Sequence, residues 1–161
     1  MLGRKDAVGL QQEIKKRQPF EVLEQEVALN LFRTSDLLQL DFTRLFREHG
    51  LSPQQYNVLR ILRGVGAEGL PCLEIAARMI GTVPDITRLI DRLEKAGYIE
   101  RTRSDEDRRV VQVQITAVGL KLLARLDKPV VELHQQQLGH LNRKELSQLN
   151  ELLLKARQAA P

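Results

Sequence analysis

Tryptophan is absent from this chain, and aromatic residues make up only 4% of its 161 residues, four Phe and two Tyr. Proteins that hold single nucleic-acid strands stack bases on aromatic side chains, so that mode is disfavoured. One cysteine, Cys72, excludes an internal disulfide framework and a thiolate zinc cluster. No stretch approaches the ~20 apolar residues of a membrane helix, and Met1 to Lys5 lead into no apolar signal segment. The expected compartment is therefore the cytoplasm, with no membrane partner. His49, His134 and His140 are too scattered for a recognisable metal site, and His134 and His140, six apart, face different ways on one helix. Glu21, Glu24 and Glu26, or Asp105 with Asp107, have no nucleophile, phosphate loop or metal motif beside them. No catalytic residue, metal or cofactor is expected, and the chain reads as a non-enzyme.

Charge is present but unevenly spread. The formal net charge is +4, and +3 of it comes from residues 1–19, where Arg4, Lys5, Lys15, Lys16 and Arg17 outnumber Asp6 and Glu13. That is a basic arm rather than a basic domain. Between Arg78 and Arg109 eight basic residues face seven acidic ones, so any case for a polyanionic partner rests on arrangement and not on net charge.

The arrangement is regular. Residues 1–19 form a tail with one weak amphipathic stretch, Leu10 and Ile14, stopped by Pro19. From Phe20 to about His49 there is no Pro or Gly, and Leu23, Val27, Leu31, Leu38, Phe42 and Leu45 recur at helical spacing. This predicts a long first helix within residues 20–50, ended by Gly50. Ser52-Pro53-Gln54-Gln55 is a capping-box start for a second helix that places Tyr56, Leu59 and Leu62 on one side. A short third helix is expected from Pro71 to about Met79. Ile80-Gly81 breaks it, and Thr82 is the expected cap of a fourth, with Ile86, Leu89, Ile90 and Leu93 in register and Gly97 as its stop. The period then changes: Tyr98 to Arg103 and the alternating Val111, Val113 and Ile115 predict a two-stranded hairpin around a polar tip. Thr116 caps a fifth helix with Leu120, Leu123, Leu126, Val130 and Leu133, interrupted by Pro129, and Asn142 to Glu145 is a second capping box before a last helix with Leu146, Leu149, Leu153 and Ala156.

A short helix, a tight break, a second helix and a β-hairpin make a winged helix-turn-helix. The fold class expected is mainly α with a small β-hairpin wing, the central lobe 51–116 being flanked by long helices at 20–50 and 117–161. The free face of the fourth helix, with Pro84, Asp85, Thr87, Arg88 and Asp91, fits a major groove with its N-terminal residues nearest the base edges. Unpaired backbone N–H groups near Thr82 would favour a phosphate. A hairpin tip reaches an adjacent minor groove, where negative potential attracts Arg. The competing reading is a winged-helix protein-interaction module without DNA binding, against which Arg88 and Arg109 both argue.

The run Ile86-Thr87-Arg88-Leu89-Ile90-Asp91-Arg92-Leu93-Glu94-Lys95-Ala96-Gly97-Tyr98-Ile99 resembles the recognition helix of the MarR-type transcriptional regulators. Asp105-Glu106-Asp107-Arg108-Arg109, followed by Val110 to Ile115 and Thr116, is similar to that family's Asp-x-Arg wing, and Glu74-Ile75-Ala76 to the Glu-Leu-Ala of its third helix. Three motifs in order and spacing, over residue 20 to the C-terminus, make the resemblance specific. It implies a DNA-binding stretch of Thr82, Val83, Pro84, Asp85, Thr87 and Arg88, with Arg103, Asp107, Arg108 and Arg109 in the wing. Arg109 would enter the minor groove, and Asp107 would orient it. Two positions depart from the family pattern. Pro84 stands where a small polar residue is usual and would remove one N–H from the helix start, and Ile115 stands for Leu. A redox-sensing branch of the family uses a cysteine near the start of its first long helix; Cys72 lies elsewhere, and that role does not carry over.

The resemblance also implies a homodimer on a palindromic operator. The stripes at Leu23, Val27, Leu133, Leu146, Leu149 and Leu153 are the expected interface, because a terminal helix of about four turns has little of its own domain to pack against. A repressor released by a small aromatic or phenolic ligand is expected on the same ground. Phe42, Phe46, His49 and Tyr56 are the candidate walls of its pocket; the plainer alternative is that these rings fill the core.

Overall fold

The computed structural model describes residues 9–103 and 111–158, and its contacts divide the chain into two compact units, Met1–Asp41 and Phe42–Pro161. The boundary falls inside the long first helix rather than at a loop. No described helix is long and apolar enough to cross a membrane.

In the first unit, a single helical turn α1 (Leu10–Glu13) precedes α2 (Leu23–Glu48). The amphipathic stretch at Leu10 and Ile14 packs on α2. Leu10 is 4% exposed, Arg33 Nε donates to Glu13 Oε2 at 2.8 Å, and Leu10 and Ile14 line a groove of ≈ 300 Å³ with Leu29, Phe32 and Leu37 of α2. The weak i, i+4 apolar pair thus finds a partner surface on the long helix. That surface is far from closed: Leu23, Val27, Phe32, Leu37 and Leu40 are all exposed.

The second unit contains the end of α2, then α3 (Pro53–Val65), a 3-10 turn (Gly66–Glu68), β1 (Leu70–Pro71), α4 (Cys72–Arg78), α5 (Ile86–Lys95), β2 (Ile99–Arg103), β3 (Val111–Ile115), α6 (Ala117–Leu138) and α7 (Arg143–Gln158). The start signals operate as read. Ser52 Oγ accepts from Gln55 N–H while Gln55 Oε1 accepts from Ser52 N–H, and Asn142 and Glu145 make the same reciprocal pair. Such a box satisfies N–H groups that a helix leaves unpaired in its first turn. At the end of α5, Gly97 has φ +74°, its N–H donates to Glu94 O, and Tyr98 N–H donates to Leu93 O. That left-handed stop turns the chain directly into β2.

The core is one cluster. Val58, Leu59 and Leu62 of α3, Ile75 of α4 and Ile90 and Leu93 of α5 are each completely buried, and Val113, Leu123 and Leu126 join them from β3 and α6. Each completely buried Leu or Ile stabilises by roughly 1.5–3 kcal/mol relative to leaving it in water. Across the cluster, Asn57 Oδ1 accepts from Ile80 N–H at 2.9 Å, holding the α4–α5 turn on α3. Arg63 forms two hydrogen bonds to Asp127, 2.9 and 2.6 Å, tying α3 to α6. The start of α6 is stitched to the α5–β2 corner. Thr116 N–H donates to Tyr98 O, Thr116 Oγ1 donates to Gly97 O, and a Cβ on Gly119 would lie 2.3 Å from Tyr98 O. Only glycine permits that approach.

Two elements differ from the sequence reading. The sheet has three antiparallel strands in the order β1-β3-β2, because Leu70–Pro71 pairs with Gln112 and Val113. Two residues carry no alternation to detect, and Pro71, lacking an N–H, suits an edge. Consequently α4 begins at Cys72, not Pro71. The second difference, at the start of α5, bears on function.

Candidate nucleic-acid interface

The cap of α5 lies three residues beyond the expected one. Thr82 lies in the preceding loop, and Asp85 is the N-cap, its Oδ1 accepting from Arg88 N–H at 2.9 Å. The cause is local. Pro84 biases the residue before it toward extended backbone, so a helix cannot pass through Val83. Asp85, the first strong capping residue beyond it, nucleates the turn. Pro84 therefore removes no N–H from the helix. The phosphate expectation near Thr82 changes too, because the helix N-terminus is already occupied by the Asp85 carboxylate.

From this start, α5 buries Ile90 and Leu93 and turns the opposite side outward. Thr82, Pro84, Asp85, Thr87 and Arg88 are exposed, and Val83 is half-buried. Arg92 and Lys95 are also exposed and extend the cationic face beyond the residues expected. Asp91, expected on this free face, is instead taken up by the wing. Arg101 of β2 donates from Nη2 to Asp91 Oδ1 at 2.6 Å and from Nη1 to Glu94 Oε2. The guanidinium is held above its already high ordinary pKa, first by the hydrogen bond to Asp91. Sequence reasoning missed Arg101. Its signal was present in Asp91 and Glu94, three apart on one helix face, followed by an Arg in the next strand.

The wing strands pair antiparallel with Ile99 opposite Ile115, Arg101 opposite Val113 and Arg103 opposite Val111. Arg103 is exposed at the outer end of β2. The tip, with Asp107, Arg108 and Arg109, lies outside the described residues.

The four residues of the expected ligand pocket are only partly assembled. Phe46 stacks on Tyr56 at 4.2 Å and on Phe42 at 5.8 Å between ring centroids, and His134 of α6 lies 4.7 Å from Phe42. Phe46 is 3% exposed and belongs to the core. Burial raises the pKa of the Tyr56 phenol, with a further push from the Asp127 carboxylate, partly opposed by Arg63. The His49 ring is bound instead to the last turn of α2, Nδ1 to Leu45 O at 3.1 Å. Cys72 is half-buried at the start of α4.

A sequence model of the MarR family matches residues 51–111, the stretch from the capping box of α3 to the start of β3. Over 84% of its length the chain is 49% identical to a MarR transcription factor of Planctomyces limnophilus whose crystal structure is solved. The match covers 98% of that chain with a TM-score of 0.65. This chain belongs to the MarR family. Among curated members it is 37% identical over 58% of its length to the HTH-type transcriptional regulator PapX of Escherichia coli, and it spans 57% of PapX. The fold is also that of BpsR of Bordetella bronchiseptica, a protein whose DNA binding is regulated by 6-hydroxynicotinic acid. There the TM-score is 0.76 at 22% identity, covering 89% of this chain and 100% of that one.

Proposed function

We propose that this chain is a transcriptional regulator that binds double-stranded DNA as a homodimer on a palindromic operator. The observation that carries the proposal is the outer face of α5. In a winged helix-turn-helix of MarR type, Arg88, Arg92 and Lys95 are exposed there, while the carboxylates of Asp91 and Glu94 are engaged by Arg101. Thr82 to Arg88 would lie along the major groove, and Arg103 with Asp107, Arg108 and Arg109 would follow the backbone into the adjacent minor groove. The homodimer is supported by exposed apolar side chains: Leu23 and Val27 on α2 and Leu149 on α7 are exposed, and Leu133, Leu146 and Leu153 are half-buried.

The finer part of the proposal is repression relieved by a small aromatic acid. Phe42 is half-buried and Tyr56 offers a protonated hydroxyl, an apolar wall and a polar group of the kind such ligands use. Phe46 serves as the floor of that seat and not as a contact surface. DNA and ligand must each disfavour the form that binds the other, by the same factor.

The test is a titration of a fluorescent duplex pool at rising salt. Binding should fall steeply as salt rises, since each phosphate contact releases counterions, and iterative selection should recover a palindrome. Salt-insensitive binding, or none, would return the chain to the protein-interaction reading. A panel of phenolic acids, scored by melting temperature and by release of the selected duplex, tests the ligand.

A further inference from the structure

Helix α5 carries a feature at odds with its proposed partner. Two of its residues, Asp91 and Glu94, are acidic; Asp91 lies within one turn of both Arg88 and Lys95, and Glu94 lies one turn beyond Asp91. Left bare, they would face the phosphates that the cations attract. The chain supplies a counter-charge from a different element. Arg101, on β2, places one guanidinium nitrogen against each carboxylate, and its side chain is 26% exposed against 45% for Asp91 and 37% for Glu94. An ion pair so open to water stabilises a fold little. The geometry is nonetheless specific, because one planar fork satisfies two acids three residues apart. A weak structural contribution with specific geometry points to a role other than holding the domain together.

We propose that Arg101 is a positioning residue for DNA binding. It masks Asp91 and Glu94 so that the outer side of α5 presents Arg88, Arg92 and Lys95 without these two opposing charges. The inference rests on the DNA-binding reading above. Arg101 itself touches no phosphate in this scheme; its effect passes through the two carboxylates. Because the same residue belongs to the wing, masking is complete only while β2 lies against α5.

Three variants test this, with circular dichroism and melting as the fold control and a duplex selected by the wild-type protein as the probe. Arg101→Met should leave melting nearly unchanged and weaken binding about tenfold, the order expected when four carboxylates per dimer are uncovered near phosphates at water-like dielectric. Adding Asp91→Asn and Glu94→Gln to Arg101→Met should restore affinity to within a few-fold of wild type. If Arg101→Met does not fold, Asp91→Asn with Glu94→Gln in the otherwise intact chain carries the test. That variant should bind more tightly than wild type, with a steeper salt dependence. Wild-type affinity in a folded Arg101→Met, a triple variant as weak as Arg101→Met, or unchanged affinity in the double variant would each overturn the inference. Failure of the wild-type protein to bind any duplex would instead overturn the regulator reading, and this inference with it.

Discussion

Helices α5 and α7 look alike in sequence, each with an apolar stripe at helical spacing between charged residues, yet they end in opposite situations. On α5, Ile90 and Leu93 are wholly buried within the winged lobe. On α7 no residue is buried, and Leu149, Leu152 and Leu154 are 38%, 64% and 44% exposed. The N-terminal part of α2 resembles α7 in this, with Leu23 at 71% and Phe32 at 68%. An amphipathic stripe predicts that a helix will bury a face, but not what it will bury that face against. For α5 the partner surface is supplied by α3, α4 and the sheet of the same chain. For α2 and α7 the single chain leaves much of the stripe in water, which is why a second copy is proposed.

The most severe way to break this comparison is to remove α7. Deleting the chain from Asn142 onward should leave a product that aggregates or loses much of its helical signal, because Leu stripes on the remaining long helices would have no cover. Sedimentation and circular dichroism decide it. A soluble, folded monomer would show that α7 is not part of an assembly core.

Two point substitutions sharpen the contrast. Leu93→Ala should destabilise by about 2–5 kcal/mol, the usual cost of a truncated, fully buried Leu, and the loss should not depend on protein concentration. Leu149→Asp, on the exposed stripe, should instead lower the melting temperature in a concentration-dependent way, as expected where folding and association are linked. Equal, concentration-independent losses at both positions would place α7 in the same class as α5.

Much of this was legible beforehand, and the residues show why. Caps are local chemistry: Ser52 with Gln55, Thr116, and Asn142 with Glu145 act within three residues of chain, and all three form as read. The apolar stripes and the paired strands follow from periodicity. What could not be read was pairing between elements. Arg101 with Asp91 and Glu94, or Arg63 with Asp127, join residues whose meeting depends on the assembled lobe. The third strand was too short to leave a pattern. Within residues 1–19, the single apolar pair Leu10 and Ile14 says nothing about whether a long helix offers it a place, so its packing on α2 was not legible. For the residues proposed to face DNA, the lobe and the exposed side of α5 were legible, whereas Arg92 and Lys95 were passed over for residues nearer the expected helix start.

The next effect lies in the wing. Arg109→Ala should weaken binding of the selected duplex by about 1–3 kcal/mol without changing the melting curve, and Asp107→Ala should show part of that loss. Arg88→Ala, on the recognition helix, should additionally relax discrimination at one base pair per half-site. Unchanged affinity in Arg109→Ala would remove the wing tip from the interface, and a uniform loss across sequences in Arg88→Ala would make that residue a phosphate contact.

The smallest effect concerns the helix start, where Thr82 and Asp85 compete for one role. With Asp85 as the cap, Asp85→Ala should cost about 0.5–2 kcal/mol of stability, while Thr82→Ala should cost almost none. The charge can be separated from the cap by Asp85→Asn, which keeps an oxygen acceptor for Arg88 N–H and removes the carboxylate. A carboxylate suits a helix N-terminus and slightly stabilises it, so Asp85→Asn should be marginally less stable than wild type. It should also bind duplex more tightly, since the same negative charge stands where a phosphate would approach. Stability and affinity then move in opposite directions in one variant, a signature that neither general unfolding nor a lost contact reproduces. If Thr82→Ala destabilises more than Asp85→Ala, the helix begins at Thr82 in solution. If Asp85→Asn weakens binding, Asp85 contacts the DNA directly rather than only closing the helix.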